Sequence, residues 1–259
     1  MKIDIYQVDA FATKVFEGNP AAVCPLESWL DVSIMQKIAM ENNLAETAFF
    51  VKNNEEYEIR WFTPTKEVNL CGHATLASAY VIFNFLNSQQ NNLVFNSKSG
   101  PLYVSLGNDL IVMNFPKEAA KPCQTPQAIL DAFSLAPVEV LQSVDYIVIF
   151  PDFTDLTKIS VDLEALKKLD LRAVCITSKN DIYDFTARMF APNYGINEDA
   201  VTGSAYTQLM PYWVEKLGKM RLKAKQVSAR GGELTCEITD NRVFISGQAI
   251  CYLQGSIDI

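Results

Sequence analysis

The single histidine of this 259-residue chain, His73, lies in the stretch LCGHAT beside a cysteine, a glycine and two small residues. Such residues serve three kinds of site: a nucleophile with its base, a pair of metal ligands, or a helix start that binds an anion. One histidine and six cysteines without a C-x-x-C pair disfavour a zinc site, so we expect no metal. Ser204 is disfavoured as a nucleophile because no second histidine exists to activate it.

A second stretch, VTGSA, decides between the remaining readings. CGH (71–73) and TGS (202–204) each open a predicted helix, and the free N–H groups of a helix start bind anions well. Glycine also lets the backbone approach a ligand closely. We therefore expect two helix starts that hold a carboxylate without metal; the alternative for His73 is a polar side chain satisfied in the core. The expected ligand-binding residues are Gly72, His73, Gly203 and Ser204.

Glu46 is the candidate acid and base. It stands at an otherwise apolar strand end, in NNLAETAFF, where desolvation would raise the pKa of its carboxyl and allow it to take and return a proton. The alternative is an outward-facing strand residue or a cap partner. The sequence leaves both readings open.

Three further residues have two readings each. Asp199, in NEDAVTGSA, either caps the helix at Thr202 or accepts a hydrogen bond from a substrate amine or hydroxyl. Cys71 stands at a helix start, which would lower the pKa of its thiol and make it a possible base. Its counterpart in the second stretch is Thr202, however, and this disfavours a racemase that uses two thiols.

The chain repeats itself, which explains why these stretches come in pairs. RWFTP (60–64) returns as RMFAP (188–192), CGHA returns as TGSA 131 residues later, and GPLYVSLGNDLIVM (100–113) returns as GELTCEITDNRVFI (232–245). The last pair alternates apolar and polar residues on both sides of a turn, which predicts a β-hairpin in each half. The helix before each hairpin is expected to be apolar nearly all round in the first half and to end at Gly218 in the second.

Further upstream, segments 31–51 and 160–179 each predict an amphipathic helix that runs into an apolar strand, with Ser33 and Gln36 as a capping box in the first. The linker PKEAAKPCQTPQ separates the halves, and the last strand is expected to return to the first half. We therefore predict an α+β protein with residues 1–116 and 249–259 in one half and 117–248 in the other. Ligands favour clefts between domains, so we expect the active site between these halves.

Composition excludes several classes of partner. A net charge of −8 without a basic cluster argues against nucleic acid and anionic membranes. The longest apolar run, LASAYVIFNFL (76–86), is too short to cross a bilayer, and no signal-peptide pattern is visible at the start. Scattered cysteines in a chain of this size read as reduced thiols. We expect a soluble, cytoplasmic protein.

Five longer stretches are recognisable together: VDAFATKVFEGNPAAV, NNLAETAFF, RWFTPTKEVNLCGHATLASA, RMFAPNYGINEDAVTGSA and SARGGEL. Through them the chain resembles, along nearly its whole length, the PhzF-like, phenazine-biosynthesis-like family. The resemblance implies a diaminopimelate epimerase-like fold, in which two similar halves each wrap a barrel-like sheet around a central helix. One departure is Ala200, where the family pattern has proline.

The resemblance also implies an activity: cofactor-independent isomerisation of a small carboxylate-bearing molecule, usually by a homodimer. The family's proton-shuttling glutamate matches Glu46, and its substrate-contacting residues match His73 and Asp199. Its glycine helix starts match Gly72 and Gly203-Ser204, and Asn19 falls on a loop expected to line the same cleft.

The preferred hypothesis is an isomerase in which Glu46 moves a proton between two positions of one molecule. Two rivals remain open. The first is an epimerase in which Cys71 takes part, and the second is a non-catalytic protein of the same fold that binds a metabolite. The sequence does not identify the substrate.

Overall fold

The computed structural model describes residues 1–86 and 89–259, which form two compact units. The first unit comprises Met1–Phe115 and Ser246–Ile259, and the second comprises Pro116–Ile245. Within the described residues, no helix combines the length and apolarity needed to cross a bilayer.

The first unit is mostly sheet with two helices. Its elements are β1 (Lys2–Ala10), β2 (Asn19–Leu26), α1 (Val32–Asn42), β3 (Glu46–Asn53), β4 (Glu56–Phe62), β5 (Glu67–Val68), α2 (Gly72–Phe85), β6 (Asn92–Ser97), β7 (Gly100–Gly107), β8 (Leu110–Pro116) and the final strand of the chain, β18 (Ala249–Asp258).

Helix α2 forms the core of the first unit. It packs against β1, β2, β3 and β18, and nine of its fourteen residues are buried. Such burial all round requires an apolar sequence on every face, which is what GHATLASAYVIF supplies. The predicted buried central helix is confirmed.

The second unit continues the same kinds of element. They are β9 (Lys121–Pro122), α3 (Gln127–Ala132), β10 (Glu139–Gln142), β11 (Tyr146–Ile149), α4 (Leu163–Leu166), β12 (Val174–Lys179), β13 (Phe185–Ala191), β14 (Ile196–Asp199), α5 (Tyr206–Leu217), β15 (Arg221–Gln226), β16 (Gly232–Ile238) and β17 (Arg242–Gly247), whose last two residues belong to the first unit.

The two units pair their strands in the same order. In the first, β2 runs parallel to β3, β3 antiparallel to β4, β4 parallel to β6 and β6 antiparallel to β7. In the second, β11 runs parallel to β12, β12 antiparallel to β13, β13 parallel to β15 and β15 antiparallel to β16. A parallel pair requires a crossover connection, so this agreement extends to how the chain winds. The internal repeat is confirmed at the level of strand pairing.

An ion pair is repeated with the strands. Arg60 donates through two nitrogens to Glu67 at 2.8 and 2.9 Å, and Arg188 donates in the same way to Glu198 at 2.7 and 3.0 Å. Each guanidinium also lies over the phenylalanine two residues further on. A forked arginine–carboxylate pair fixes direction as well as distance, so each pair holds the hairpin that leads into the site-bearing helix.

Local signals account for most turns and helix ends. Asn108 and Asp109 both have positive φ between β7 and β8, as a two-residue hairpin turn of the right twist requires. Helix α5 ends at Gly218 in the left-handed conformation, as predicted.

Two expectations about the helices that precede the apolar strands are wrong. The cap of α1 is Asp31, which accepts from the Ser33 N–H at 2.8 Å, whereas the Gln36 side chain donates to the Thr63 carbonyl. Asp31, two residues before Ser33, therefore takes the cap position, which both Asp and Ser favour. The helix expected within 160–179 is only the four-residue α4, capped by Asp162.

We predict that truncation after Gly247 destabilises the first unit. β18 pairs with β1 from Lys2 to Ala10, so its removal leaves the hydrogen-bonding edge of β1 unpaired. With each lost bond worth roughly 0.5–1.5 kcal/mol, the melting temperature should fall by about 10 °C or more. Thermal unfolding followed by circular dichroism measures this effect.

Truncation after Gln254 is the control, because it keeps the β18 residues that pair with Tyr6 to Ala10 and should cost less. A chain ending at Gly247 that melts with the full-length protein contradicts the prediction.

Candidate active site

Three chemically active side chains of the first unit meet at the start of β3 and the start of α2. The Nε2 atom of His73 lies 3.2 Å from Oε2 of Glu46, and its Nδ1 atom lies 3.5 Å from Sγ of Cys71. Glu46 is the first residue of β3, Cys71 is the N-cap of α2, and His73 is in the first turn of that helix.

Local sequence explains why Glu46 falls at this position. Asn43 adopts the left-handed conformation that ends α1, and the Asn42 side chain donates to the Thr47 hydroxyl at 3.0 Å. Parallel pairing with β2 then places Glu46 beside Ala21, in the part of the sheet that packs on α2. The alternative of an outward-facing strand residue is therefore wrong: the Glu46 side chain is only 13% exposed.

The Glu46–His73 contact is a close charge contact rather than an aligned hydrogen bond. His73 Nε2 is buried and makes no hydrogen bond of acceptable geometry to any residue in the described part of the chain. Burying a donor without an aligned acceptor costs free energy. Such an atom therefore marks a position where a ligand can bind or a proton can be transferred.

The pKa of Glu46 lies below its ordinary value, which corrects the expectation from its apolar neighbours. Burial raises the pKa of this carboxyl, but the charge of His73 and the close polar contacts with His73 and Cys71 lower it by more. The local sequence around Glu46 contains only the apolar strand neighbours. The imidazole is absent from it because His73 lies further along the chain. Glu46 is an ionised carboxylate in the resting protein.

The pKa values of its two neighbours are raised. Burial lowers the pKa of His73, but its interactions with Cys71 and with the Glu46 carboxylate raise it well above its ordinary value, so the imidazole is protonated. Burial and the Glu46 charge raise the pKa of Cys71 to about 11. The expectation that the helix start lowers this pKa is wrong because desolvation of the buried thiol exceeds the helix effect.

The same three side chains could hold a metal ion. A carboxylate oxygen, an imidazole nitrogen and a sulfur within 4.8 Å of one another form a donor set that zinc accepts. A metal would have to displace the protons of both Cys71 and His73, whose raised pKa values oppose this. The prediction that the protein uses no metal stays a prediction.

The other sequence-predicted residue of the first unit, Asn19, begins β2 and pairs with Ala10 instead of lying in a loop. Asn19 is 1% exposed. Its contribution to ligand binding stays a prediction. Gly72 is the first residue of α2, where its N–H has no acceptor within the helix.

The second unit places Asp199, at the end of β14, against the next helix start. The Thr202 hydroxyl donates to the Asp199 carboxylate, and the Gln226 amide links the Thr202 N–H to the Asp199 carbonyl at 2.9 and 2.8 Å. Asp199 thus binds the hydroxyl of the N-cap residue, Thr202, and its contact with a substrate stays a prediction. Gly203–Ala205 form a 3-10 turn and the α-helix begins only at Tyr206, so the expected helix start is a tighter turn.

Sequence analysis missed a charged cluster beside Ser204. Arg172 donates to the buried carboxylate of Asp145 at 2.8 and 2.6 Å and to the Ser204 hydroxyl at 3.3 Å, and Gln208 donates to the same carboxylate. The available signal was an arginine in LDLRAVC at the position where the other half has NNLAE. Without the fold, nothing connected it to residue 204.

Comparison with known proteins agrees with this architecture. The family described as phenazine biosynthesis-like protein matches residues 8–255. An uncharacterized isomerase of Pseudomonas aeruginosa is 48% identical over 100% of both chains, and a phenazine biosynthesis-like domain-containing protein of Bos taurus is 41% identical over 99% of both. Two further relatives are also named as uncharacterized isomerases, and these names confirm the prediction that the protein is an enzyme of the isomerase class.

Solved structures show the same fold. A PhzF family protein of Enterococcus faecalis superposes with a TM-score of 0.98 at 44% identity, covering 100% of both chains. A predicted epimerase of Pseudomonas aeruginosa superposes with a TM-score of 0.75 at 23% identity, covering 98% of this chain and 99% of that one. The α+β, diaminopimelate epimerase-like fold class is thus confirmed. On its sequence match and its structure, the chain belongs to the phenazine biosynthesis-like PhzC-PhzF family.

Proposed function

We propose that this isomerase moves a proton within a small carboxylate-bearing metabolite, with Glu46 as the general acid and base and without a cofactor. The observation that carries the proposal is the buried pair of Glu46 and His73, in which one group is an ionised carboxylate and the other a protonated imidazole. The isomerase names of the relatives support the reaction class.

The proton balance of the reaction follows from this pair. The Glu46 carboxylate accepts a proton from an activated carbon, and the electron pair left behind delocalises into the adjacent unsaturated or carboxylate group. The His73 Nε2–H, which has no aligned acceptor in the described protein, donates to the oxygen on which that charge develops. Glu46 then delivers a proton to another carbon, so no net proton and no electron leaves the site. A carboxyl proton that exchanges with water before this step labels the product in deuterated water.

The lowered pKa of Glu46 is consistent with this role once the substrate is bound. In the resting protein the carboxylate is stabilised by the His73 charge, which weakens it as a base. A substrate anion that engages His73 competes for that charge and raises the basicity of Glu46. The Glu46 carboxylate is thus weakly basic in the resting pair, and an anionic substrate makes it more basic.

The epimerase hypothesis has less support. A thiol with a pKa of about 11 is neutral near pH 7, and the position equivalent to Cys71 in the second unit is Thr202, which has no thiol. The hypothesis of a non-catalytic binding protein predicts the same ligand but no exchange of its protons. The position of solvent deuterium therefore separates the three hypotheses. The isomerase labels a different carbon, the epimerase labels the original stereocentre without a change in connectivity, and the binding protein labels no carbon.

The proposal includes expectations about ligand, assembly and location. We expect a small carboxylate as the ligand and a homodimer as the assembly. We also expect a cytoplasmic location and no binding of nucleic acid or membranes. Size-exclusion chromatography with light scattering measures the assembly.

Replacement of Glu46 by glutamine should abolish the proton transfer. Glutamine keeps the size and most hydrogen bonds but cannot accept a proton, so turnover should fall by roughly a hundredfold or more while ligand binding changes little. Substrates come from a ligand-observed NMR screen of small unsaturated and hydroxylated carboxylates. Turnover is followed by mass spectrometry in deuterated water.

The outcome that contradicts the assignment is an E46Q protein that still incorporates deuterium at the wild-type rate. Binding by the wild-type protein without any incorporation would instead favour the non-catalytic hypothesis.

Cys71→Ser should have a mild effect. The thiol is neutral and its hydrogen bond to His73 is long, so a hydroxyl of similar shape should leave turnover within about tenfold of wild type. The same exchange assay measures this variant beside E46Q. Loss of turnover in C71S with retention in E46Q would establish the thiol epimerase hypothesis.

The pKa of Glu46 should rise when His73 is replaced by glutamine. His73 lowers the pKa of Glu46 against the opposing effect of burial, so without the imidazolium burial is opposed only by the contact with Cys71. The acid limb of kcat/KM, where the base becomes protonated, should accordingly move to higher pH. A 13C NMR titration of the glutamate side-chain carboxyls measures the shift without a substrate.

Glu67 is an internal control in the same spectra. Arg60 and Lys98 lower its pKa to about 2, and neither contacts His73, so its titration should be unchanged in H73Q. An unchanged Glu46 titration in H73Q contradicts the charge-pair interpretation.

A further inference from the structure

The proposed proton transfer gives Cys71 no task. This residue is the N-cap of α2, yet its thiol makes no capping hydrogen bond. The side chains that usually cap helices are those of Ser, Thr, Asp and Asn, and the counterpart of Cys71 in the second unit is one of them, Thr202. Capping therefore does not explain why a cysteine stands at this position.

The thiol belongs instead to a compact set of potential metal ligands within the first unit. One sulfur, one imidazole nitrogen and one carboxylate oxygen, from Cys71, His73 and Glu46, lie within 4.8 Å of one another. Sγ of Cys71 is 3.5 Å from Nδ1 of His73, and Nε2 of His73 is 3.2 Å from Oε2 of Glu46.

These separations are close to those of a tetrahedral zinc site. Bonds of about 2.0–2.3 Å from zinc to its ligands place neighbouring ligand atoms roughly 3.3–3.6 Å apart. The two measured contacts are close to this spacing, and the widest separation in the set has to shorten by no more than about 1.5 Å to reach it. A rotation of side chains, without a change of backbone, is sufficient for such a shift.

A second observation points to a ligand at the same position. His73 is only 7% exposed, and its Nε2 atom has no aligned hydrogen-bond partner among the residues that the structure describes. A buried nitrogen without a partner costs free energy, and a bound metal ion would satisfy it. The Glu46 side chain remains 13% exposed, so an ion can reach the set from solvent.

Binding of a metal exchanges two protons for one ion. The metal forms bonds to the sulfur, to one imidazole nitrogen and to a carboxylate oxygen, and a water molecule fills the fourth position. The thiol proton and one imidazolium proton go to solvent, whereas the ionised carboxylate loses none. No group is oxidised or reduced. Metal sites made of thiolates and imidazoles form in this way in general, because the bonds to the metal offset the cost of removing the protons.

The types of ligand select the kind of metal. A thiolate and an imidazole favour zinc and other thiophilic ions. Magnesium and calcium require about six or more oxygen ligands, and this set offers a single carboxylate. Zinc is therefore the ion that the set fits.

We propose that Glu46, Cys71 and His73 bind one zinc ion, which reversibly inhibits the enzyme. The inhibition rests on the proposed function, because the ion occupies the electron pair with which Glu46 takes a proton and prevents His73 from donating one. The ion is an inhibitor and not a cofactor, since it has to leave before Glu46 can act. Cys71 thus makes the site sensitive to zinc without taking part in the reaction.

The test uses Co²⁺ as a spectroscopic substitute for zinc on the full chain. Titration should produce a saturable near-ultraviolet charge-transfer band from thiolate to cobalt, and zinc should displace it. Cys71→Ser should abolish the band and weaken zinc binding by about a hundredfold or more, because a lost ligand costs at least as much as a lost outer-shell partner. Glu46→Gln should weaken zinc binding while the band, which reports the sulfur, is retained at saturation.

Matched controls use the more accessible cysteines and a second ion. Cys123→Ser and Cys251→Ser each remove a half-buried thiol outside the set, and both variants should retain the band. Magnesium should neither displace cobalt nor slow deuterium incorporation. Circular dichroism establishes that each variant is folded.

A wild-type chain without the charge-transfer band overturns the proposal, as does a band that persists in folded C71S. Full deuterium incorporation at saturating zinc also overturns it, and recovery of turnover on chelation of the zinc supports it. If the band forms but the metal-free chain incorporates no deuterium, the proposed function fails while the metal site stands. If incorporation proceeds and no band forms, the metal site fails while the proposed function stands.

Discussion

The buried contact between Glu46 and His73 is the interaction on which the candidate site depends. Taking a carboxylate and an imidazolium out of water costs several kcal/mol for each ion, and only their mutual attraction in a medium of low dielectric offsets it. Each group therefore requires the other in its charged form. A protein that keeps such a pair needs rigid elements on both sides of it.

The fold of the first unit provides that rigidity. Glu46 is fixed by the parallel pairing of β3 with β2, and His73 is fixed by α2, which is buried on nearly every face. Arg60 and Glu67 stabilise the hairpin between these elements, and the second unit repeats that device with Arg188 and Glu198. The arginine–glutamate pair of the scaffold is thus repeated in both units, whereas the residues of the site differ between them.

That asymmetry suits an isomerase better than a two-base racemase. Two equivalent bases would require the same residue type at the start of β3 and β12, or at Cys71 and Thr202, and neither pair matches. The second unit instead carries Arg172 in contact with Ser204, and neither side chain can abstract a proton from carbon. A single base that both removes and returns the proton needs only one such position.

The sequence by itself determined the elements whose signals are local, together with the repeat. Period-two alternation identified the hairpins, an apolar run without a polar face identified α2, and a glycine identified the end of α5, because each pattern follows from backbone geometry. The residue types at positions 46 and 73 also sufficed to single out both as site candidates, and five longer stretches carried the family resemblance. The length of α4 and the cap of α1 were mispredicted, since competing local hydrogen bonds differ little in energy.

Only the tertiary structure decided the electrostatics. The direction of the Glu46 pKa depends on an imidazole 3.2 Å away, and the same apolar neighbours without it would have shifted that pKa the other way. Likewise, the contacts of Arg172 with Ser204 and Asp145 exist only because the fold brings together residues that lie far apart in sequence. Charge interactions depend on distance and burial, and neither quantity is a property of the residues taken one at a time.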